Sequence, residues 1–255
     1  MHEAEIARAR VLERFPEGME EVELADALEL AVYTDEAGET ALRELALGPV
    51  ASAPVASGWE DGWKSFHRPV RVAGLWIGPS WEKRPGDRSV VVDPGRAFGT
   101  GAHPTTRACI ELLATLERGS LLDAGCGSGV VALAAIRLGF GPVAALDVDP
   151  VAVEVARGTA HRNGVRLDVR HADVLCDELP RADVVVANIE LPTVEALLVR
   201  LSAPLAVTAG YLAPERPQVT GWEVVSHTEL DGWAAHVLEN SPRGSRGHSS
   251  IRALS

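Results

Sequence analysis

Between residues 89 and 240, short apolar runs alternate with segments in which apolar residues recur every three or four positions. Such runs are typical of buried β-strands, and the periodic segments are typical of amphipathic helices. Strands that alternate with helices predict parallel β-α-β units and therefore a doubly wound α/β sheet. The predicted strands are 120–125, 142–149, 166–174, 182–189 and 205–212, and the predicted helices are 105–117, 129–139, 150–164 and 191–202.

The two ends of the chain follow other patterns. Residues 223–239 predict an antiparallel hairpin at the edge of the sheet, and the Ser/Gly/Arg-rich residues 241–255 predict a disordered tail. Residues 1–57 predict a small α+β lobe. Its predicted order is helix 3–15, strands 19–26 and 27–35, helix 38–47 and strand 50–56. Residues 58–86 hold four of the six tryptophans without a clean period, and we interpret them as a linker to the main domain, 87–240.

Composition narrows the class of protein. The 255 residues, 46% of them hydrophobic and 24% charged, are ordinary for a globular protein with one large domain or a domain plus a lobe. We expect no secretory segment, because residues 1–18 are charged throughout, and no apolar stretch is long enough to predict a membrane span. The three cysteines are not spaced as metal ligands and suggest a reducing compartment. We therefore expect a cytoplasmic protein.

The net charge of −12 is unevenly distributed. Residues 1–46 contain thirteen acidic residues against four arginines, a net charge of −9. An acidic lobe repels phosphates and argues against direct nucleic-acid binding, whereas it suits a basic protein partner. A surface of this kind can also serve only to keep the chain in solution. Charge alone leaves both interpretations open.

Three glycines stand in the stretch "LLDAGCGSGVVALAAIRLG", between an apolar run and a helical pattern. A phosphate-binding loop would need a lysine after the last glycine, and a dinucleotide fingerprint has its third glycine after two spacer residues. Here Gly125, Gly127 and Gly129 alternate instead. Alternating glycines let the backbone approach a ligand that need not be a pyrophosphate.

Two acidic residues suggest which ligand this is. Asp147, at the end of the next predicted strand, can accept hydrogen bonds from both hydroxyls of a ribose. Asp173 follows the third strand, where a side chain can reach an adenine edge, although it can also be a simple turn residue. We interpret Asp149, which precedes a proline, as a turn residue. A nucleoside without a phosphate anchor, held at the carboxyl ends of parallel strands, points to S-adenosylmethionine.

Together, segments 93–113, 121–139, 146–165 and 182–189 resemble the PrmA family, the methyltransferases of ribosomal protein L11. The resemblance implies a seven-stranded, mostly parallel, Rossmann-like sheet of the class I methyltransferases. It also implies a ferredoxin-like N-terminal lobe, here without its first strand. The implied activity is transfer of a methyl group from S-adenosylmethionine to lysine or N-terminal amines of a basic ribosomal protein, by a monomer.

The resemblance also implies which residues contact the cofactor. They are Thr106, Gly125, Asp147 and Asn188, with Phe98 and Gly127 beside them. Asn188 ends a buried apolar run, where an amide is costly unless it is hydrogen-bonded, so we also expect it to orient the amine. Residues 99–101 predict a flexible loop that closes over the sulfonium end. His103 is a candidate base or an ordinary turn histidine, and Thr106 can also be a helix cap.

Two segments depart from the family pattern: "ELPTVEALLVRLS" after Asn188, and "SAPLAVTAGYLAPERP", which lacks a Pro-Gly-Gly turn. They leave the substrate open, and so does the missing first strand. One alternative is a methyltransferase of another protein lysine or of a small amine. Another is a catalytically silent adenosyl-binding module that docks a basic protein. An NAD-linked oxidoreductase is disfavoured by the glycine spacing.

Overall fold

The computed structural model describes residues 7, 10–11, 14–15, 20–23, 28–32, 34, 36–52, 67–94 and 99–241. The chain divides into two compact units, Met1–Glu60 and Asp61–Ser255. The predicted tail beyond residue 241 and the Phe98 position lie outside the described residues.

The first unit contains a short antiparallel pair of strands and a helix. Strand β1 (Glu20–Glu23) pairs with β2 (Leu28–Ala31), and helix α1 (Glu36–Glu44) follows. Both predicted strands and this predicted helix are therefore confirmed. Of the predicted helix 3–15, the four described positions before Phe15 are helical: Ala7, Arg10, Val11 and Arg14. Of the predicted strand 50–56, residues 50–52 are not in a strand, and the rest is not among the described positions.

The first element in the described part of the second unit is a three-stranded sheet that was not predicted from the sequence. Strands β3 (Val70–Val72) and β4 (Leu75–Gly78) form an antiparallel hairpin, and β5 (Ser89–Val91) pairs with β4 in parallel. Two of these strands fall inside residues 58–86, which we interpreted as a linker because the sequence there has no clean period. The physical reason is that all four residues of β4 are buried, so the strand shows no alternation of apolar and polar positions.

The main sheet has seven strands in the order β11-β12-β10-β9-β6-β7-β8. The five strands from β10 to β8 are parallel, and β12 runs antiparallel between β10 and β11. This arrangement confirms the doubly wound, mostly parallel sheet and places the predicted hairpin at its edge. The strands are β6 (Leu121–Ala124), β7 (Val143–Asp147), β8 (Asp168–His171), β9 (Val184–Asn188), β10 (Leu205–Leu212), β11 (Trp222–Leu230) and β12 (Trp233–Asn240).

Among the described residues, four helices cover this sheet: α2 (Pro104–Thr115), α3 (Val130–Leu138), α4 (Pro150–Arg162) and α5 (Leu191–Arg200). Buried residues of α2, α3 and α4 form a core on one face, and those of α5 form a second core on the other face. The turn role of Asp149 is confirmed, because its carboxylate caps α4 by accepting the Val151 N–H at 2.8 Å. In the described part of the chain, no helix combines the length and the apolar character that a membrane crossing requires.

The topology defines one position for a ligand. Chain order runs outward from β6 in both directions, through β7 and β8 on one side and through β9 and β10 on the other. In open α/β sheets, ligands bind at the carboxyl ends of the strands where the order reverses. The carboxyl ends of β6, β7 and β9 meet at this point. The predicted site residues lie there: the glycine turn follows β6, Asp147 ends β7 and Asn188 ends β9.

Candidate active site

The turn after β6 has the geometry that alternating glycines allow. Gly125, Gly127 and Gly129 have φ angles of 80°, 52° and 78°, in the left-handed region that favours glycine. The N–H groups of Gly125 and Cys126 both donate to the carbonyl oxygen of Leu146, at 2.9 and 3.0 Å. The turn therefore folds over the end of β7, and Gly129 caps the start of α3.

A side chain at Gly125 would be both strained and crowded. A Cβ there would lie 2.5 Å from Cγ2 of Ile189, the residue after Asn188. We expect Gly125→Ala to lower the free energy of unfolding by about 1–3 kcal/mol and to weaken S-adenosylmethionine binding at least about 10-fold. Urea unfolding and titration calorimetry measure the two effects.

Gly164→Ala is the matched control for this change. Gly164 has a similar φ of 63°, but a Cβ there would meet no atom within 4 Å. It should lose some stability through backbone strain and bind the cofactor as the wild type does. Wild-type affinity in Gly125→Ala would remove Gly125 from the set of cofactor contacts.

Asp147 is held rigidly at the end of β7. Its Oδ2 accepts the Gly127 N–H at 2.8 Å, and its Oδ1 accepts the Asp149 N–H at 2.9 Å. Each carboxylate oxygen can accept a second hydrogen bond. The structure thus brings Asp147 and the glycine turn into direct contact, as a site for a ribose at the strand ends would require.

Asp123, in the middle of β6, is a second carboxyl group beside this turn. It is 2% exposed, and its Oδ2 accepts the Ala132 N–H at 3.0 Å. Burial raises its pKa to about 7; the Ala132 N–H opposes this shift and the charge of Asp147 adds to it. Asp123 was not among the site residues predicted from the sequence, although an aspartate inside the apolar run "LLDAG" was a visible signal.

The raised pKa of Asp123 predicts a pH dependence of stability. Between an unfolded pKa of about 3.9 and a folded pKa of about 7, the native state binds the proton and the unfolded state does not. The free energy of unfolding of the wild type, relative to Asp123→Asn, should therefore fall as pH rises from about 4.5 to 7.5. Urea unfolding of both proteins across this range measures the difference.

Asp183→Asn is the control, because a hydrogen bond from the Ser120 hydroxyl, followed by one from its N–H, lowers the pKa of the Asp183 carboxyl. The stability that this group contributes is lost only as pH falls below its ordinary range, so its variant should keep a constant offset above about pH 5. A constant offset for Asp123→Asn as well would show that Asp123 is ionised in the native state.

Asn188 and Thr106 meet across the opening of the site. Asn188 ends β9, and its Nδ2 donates to Oγ1 of Thr106 at 3.4 Å. Thr106 is 1% exposed and lies in the first turn of α2. With Nδ2 directed to Thr106, the amide oxygen of Asn188 can accept a hydrogen bond from a substrate amine. Two residues 82 positions apart in sequence are thus brought together at the switch point of the sheet.

His103, and not Thr106, caps α2. Its side chain accepts the Thr105 N–H, and its Nδ1 lies 2.8 Å from the Thr105 hydroxyl. The ring packs edge-on against Trp233, with 5.0 Å between the ring centres, and burial lowers the pKa of His103. The hydrogen bonds to Thr105 show that His103 serves as a helix cap. The ring contact places Trp233, which was not predicted from the sequence, at the start of α2.

The loop before α2 is anchored to the glycine turn. The Ser128 hydroxyl donates to the carbonyl oxygen of Gly99, and Ser128 is 2% exposed. A Cβ on Gly101 would lie 2.4 Å from Cγ2 of Ile77, so this glycine permits close contact with β4. Ser128 was not identified from sequence, because its partner is 29 positions away.

Asp173 has the hydrogen bonds of a turn residue. Its Oδ1 accepts the Leu175 N–H at 2.8 Å, and its own N–H donates to Asp177 at 2.8 Å. A carboxylate can accept several hydrogen bonds, so these contacts do not use all of its acceptor positions. A contact with adenine therefore stays a prediction.

The chain matches one protein family over most of its length. The family model "Ribosomal protein L11 methyltransferase (PrmA)" matches residues 14–239. The chain belongs to this family. A relative named ribosomal protein L11 methyltransferase from Symbiobacterium thermophilum is 38% identical over 228 residues, which cover 81% of this chain and 75% of the relative. One with the same name from Dechloromonas aromatica is 47% identical over 156 residues, 59% of this chain and 48% of the relative.

A solved structure agrees in fold. The ribosomal protein L11 methylase from Lactobacillus delbrueckii subsp. bulgaricus superposes with a TM-score of 0.59, at 24% identity, over 66% of this chain and 95% of that one. Against several curated members of the PrmA family, the matched part of the chain spans only about half of the relative's length. The family and the class I methyltransferase fold are therefore established.

Proposed function

We propose that this chain is an S-adenosylmethionine-dependent N-methyltransferase that acts on lysine and/or N-terminal amino groups of ribosomal protein L11. The observation that carries the proposal is the Asn188–Thr106 pair beside the glycine turn. This pair supports the proposal because the hydrogen bond from Nδ2 to Thr106 leaves the amide oxygen of Asn188 to accept a hydrogen bond from an amine. The name shared by the curated relatives supports the substrate.

The residues present suit the proposed cofactor. The absence of a side chain at Gly125 lets the turn lie against Ile189 at the end of β9, the Gly127 N–H meets Asp147, and no phosphate-binding lysine follows the turn. Gly125, Gly127 and Asp147 would hold the nucleoside, Thr106 and Phe98 the methionine end, and Asp173 the base. When bound, S-adenosylmethionine supplies an electrophilic methyl group on a positively charged sulfur.

The acceptor must be a neutral amine. A lysine with a pKa of about 10.4 needs about 4 kcal/mol to lose its proton at neutral pH, and desolvation in a closed site lowers this cost. Water can take the proton before the amine enters, so no strong base is required. The amide oxygen of Asn188 accepts an amine hydrogen and directs the lone pair, and Thr106 fixes the amide. Positioning then supplies most of the catalysis.

The acidic lobe supports a basic protein as substrate. Residues 1–46 carry −9 of the chain's −12 charges, and ribosomal proteins are mostly basic. Attraction between such surfaces speeds association and weakens steeply with ionic strength. In this proposal the lobe docks the ribosomal protein, no nucleic acid is bound directly, and the enzyme acts as a monomer in the cytoplasm.

Labelled S-adenosylmethionine incubated with total ribosomal protein tests the proposal. The label should appear on ribosomal protein L11, and its rate of transfer should fall as salt rises while cofactor affinity stays constant. Label on a different protein or on small amines would show that ribosomal protein L11 is not the substrate. Cofactor binding without any transfer would identify a silent adenosyl-binding module.

A further inference from the structure

The connection between β10 and β11 leaves part of the sheet without a covering helix. These strands run parallel on either side of β12, and such a crossover usually contains an α-helix and a dozen or more residues. Here it consists of the nine residues 213–221, which include Pro214 and Pro217 and form no helix. On the α5 side, residues 213–218 therefore border the face of β11 and β12 where a crossover helix would otherwise lie.

A cavity of about 670 Å³ lies on this face of the sheet. Its walls are the start of α5, residues 213–218 and the β11–β12 hairpin. Leu191, three residues after Asn188, is part of the wall. The cavity thus opens at the same edge of the sheet as the candidate active site, but on the opposite face.

A buried hydrogen-bond chain ends at this cavity. The Tyr211 hydroxyl lies 2.8 Å from the Thr208 hydroxyl, 3.2 Å from the Thr208 carbonyl oxygen and 3.0 Å from Nδ1 of His236. One arrangement satisfies all three contacts: Tyr211 donates to the carbonyl and accepts from the Thr208 hydroxyl and from Nδ1–H of His236. The other ring nitrogen, Nε2 of His236, then carries a lone pair.

Burial disfavours the charged form of His236. His236 is 6% exposed, and burial, His227 and Arg216 lower its pKa, whereas Glu229 acts in the opposite direction. Because His236 lines the cavity and its Nδ1 points to Tyr211, Nε2 is the nitrogen left for a ligand. That atom accepts hydrogen bonds and does not donate them.

Three carboxylates share the cavity with His236: Glu195, Glu215 and Glu229. Glu195 accepts the Gln218 N–H and Glu215 accepts the Leu212 N–H, both at 2.8 Å, so these two side chains are held in place. Arg216 is the one Lys or Arg among the cavity's lining residues. Hydrogen-bond acceptors and an excess of negative charge select a positively charged donor of N–H groups.

We propose that this cavity binds a lysine or arginine side chain of the protein substrate, at a second site beside the acceptor site. The inference rests on the proposed methylation of a basic ribosomal protein and adds a specificity-determining contact to it. A substrate chain that presents one amine to Asn188 crosses the carboxyl edge of β9 and β10 and places a neighbouring basic side chain in the cavity.

Steady-state kinetics of the full chain with ribosomal protein L11 test this second site. The triple variant Glu195→Gln, Glu215→Gln, Glu229→Gln keeps an acceptor oxygen at each position and removes the charges. Its KM for the ribosomal protein should rise about 10-fold, with kcat and the KM for S-adenosylmethionine unchanged within about 2-fold. His236→Phe, which keeps a ring and removes Nε2, should raise the same KM.

The matched control is the triple variant Glu117→Gln, Glu154→Gln, Glu178→Gln, at three exposed positions outside the cavity. It makes the same change in net charge and should keep the wild-type KM. Equal KM values for the two triple variants would overturn the second site and leave the methyltransferase proposal intact. A change of oligomeric state in the cavity variant alone, seen by sedimentation, would overturn it in favour of a self-interface.

Two further results distinguish failure of the second site from unfolding of the variant and from failure of the proposed function. If the triple variant unfolds, Glu229→Gln alone, at an exposed position, should still raise the KM for the ribosomal protein about 3-fold; an unchanged KM there overturns the second site. If the wild type binds S-adenosylmethionine but transfers no methyl group to this protein, the proposed function fails and the second site fails with it.

Discussion

Asn188→Ala should lower kcat at least about 100-fold, while its affinity for S-adenosylmethionine changes less than about 3-fold. In the proposed mechanism, the amide of Asn188, which is hydrogen-bonded to Thr106, directs the lone pair of the amine and contributes little to cofactor binding. Single-turnover rates at saturating cofactor measure the first quantity, and titration calorimetry measures the second.

Asn163→Ala is the control for losing a buried asparagine. Asn163 is 5% exposed and bonds both backbone groups of Val91 and the Thr159 carbonyl oxygen, at 2.7–2.8 Å. Its replacement should cost about 2–4 kcal/mol of stability and leave the turnover of folded enzyme near the wild-type value. Equal losses of turnover and cofactor affinity in Asn188→Ala would reduce Asn188 to a cofactor contact.

The second large effect is expected at Asp147. Asp147→Ala should weaken S-adenosylmethionine binding by about 2–4 kcal/mol, or roughly 30- to 1000-fold, because two charge-assisted hydrogen bonds to the ribose are lost. The structure adds a second cause, since the Gly127 N–H also loses its acceptor and the glycine turn loses its support.

Asp149→Ala is the control here, two residues away on the same connection. Its carboxylate caps α4 and takes no part in the proposed site. It should cost about 1 kcal/mol of stability and bind the cofactor normally. Titration calorimetry measures the cofactor affinity of both variants. Unchanged affinity in Asp147→Ala would show that other residues hold the ribose.

The local pattern of apolar and polar residues was sufficient to predict most of the fold. Every predicted strand and helix between 105 and 239 is present, because these elements are long, periodic and separated by glycine, proline or aspartate signals. The hairpin of β3 and β4 was missed, because a strand buried on both sides has no alternation that separates it from a linker.

The site could be predicted only where a residue ends an element. Gly125, Asp147 and Asn188 stand at the carboxyl ends of strands, and parallel strands bring such ends together. The contacts made by Ser128 and Trp233 depend on how segments distant in sequence pack together. The local periodicity of apolar residues contains no information about such packing. The cavity beside His236 is of the same kind. The prolines of residues 213–221 were visible in the sequence, but the hydrogen-bond chain through Tyr211 was not.

Mass spectrometry of ribosomal protein L11 is the most direct test of the proposed methyl transfer. The protein is incubated with S-adenosylmethionine and either the wild-type chain or Asn188→Ala at equal concentration. We predict methyl groups on lysine and/or the N-terminal amine with the wild type, and at least about 100-fold slower modification with the variant. Unmodified ribosomal protein after incubation with wild-type chain that binds S-adenosylmethionine would contradict the proposed function.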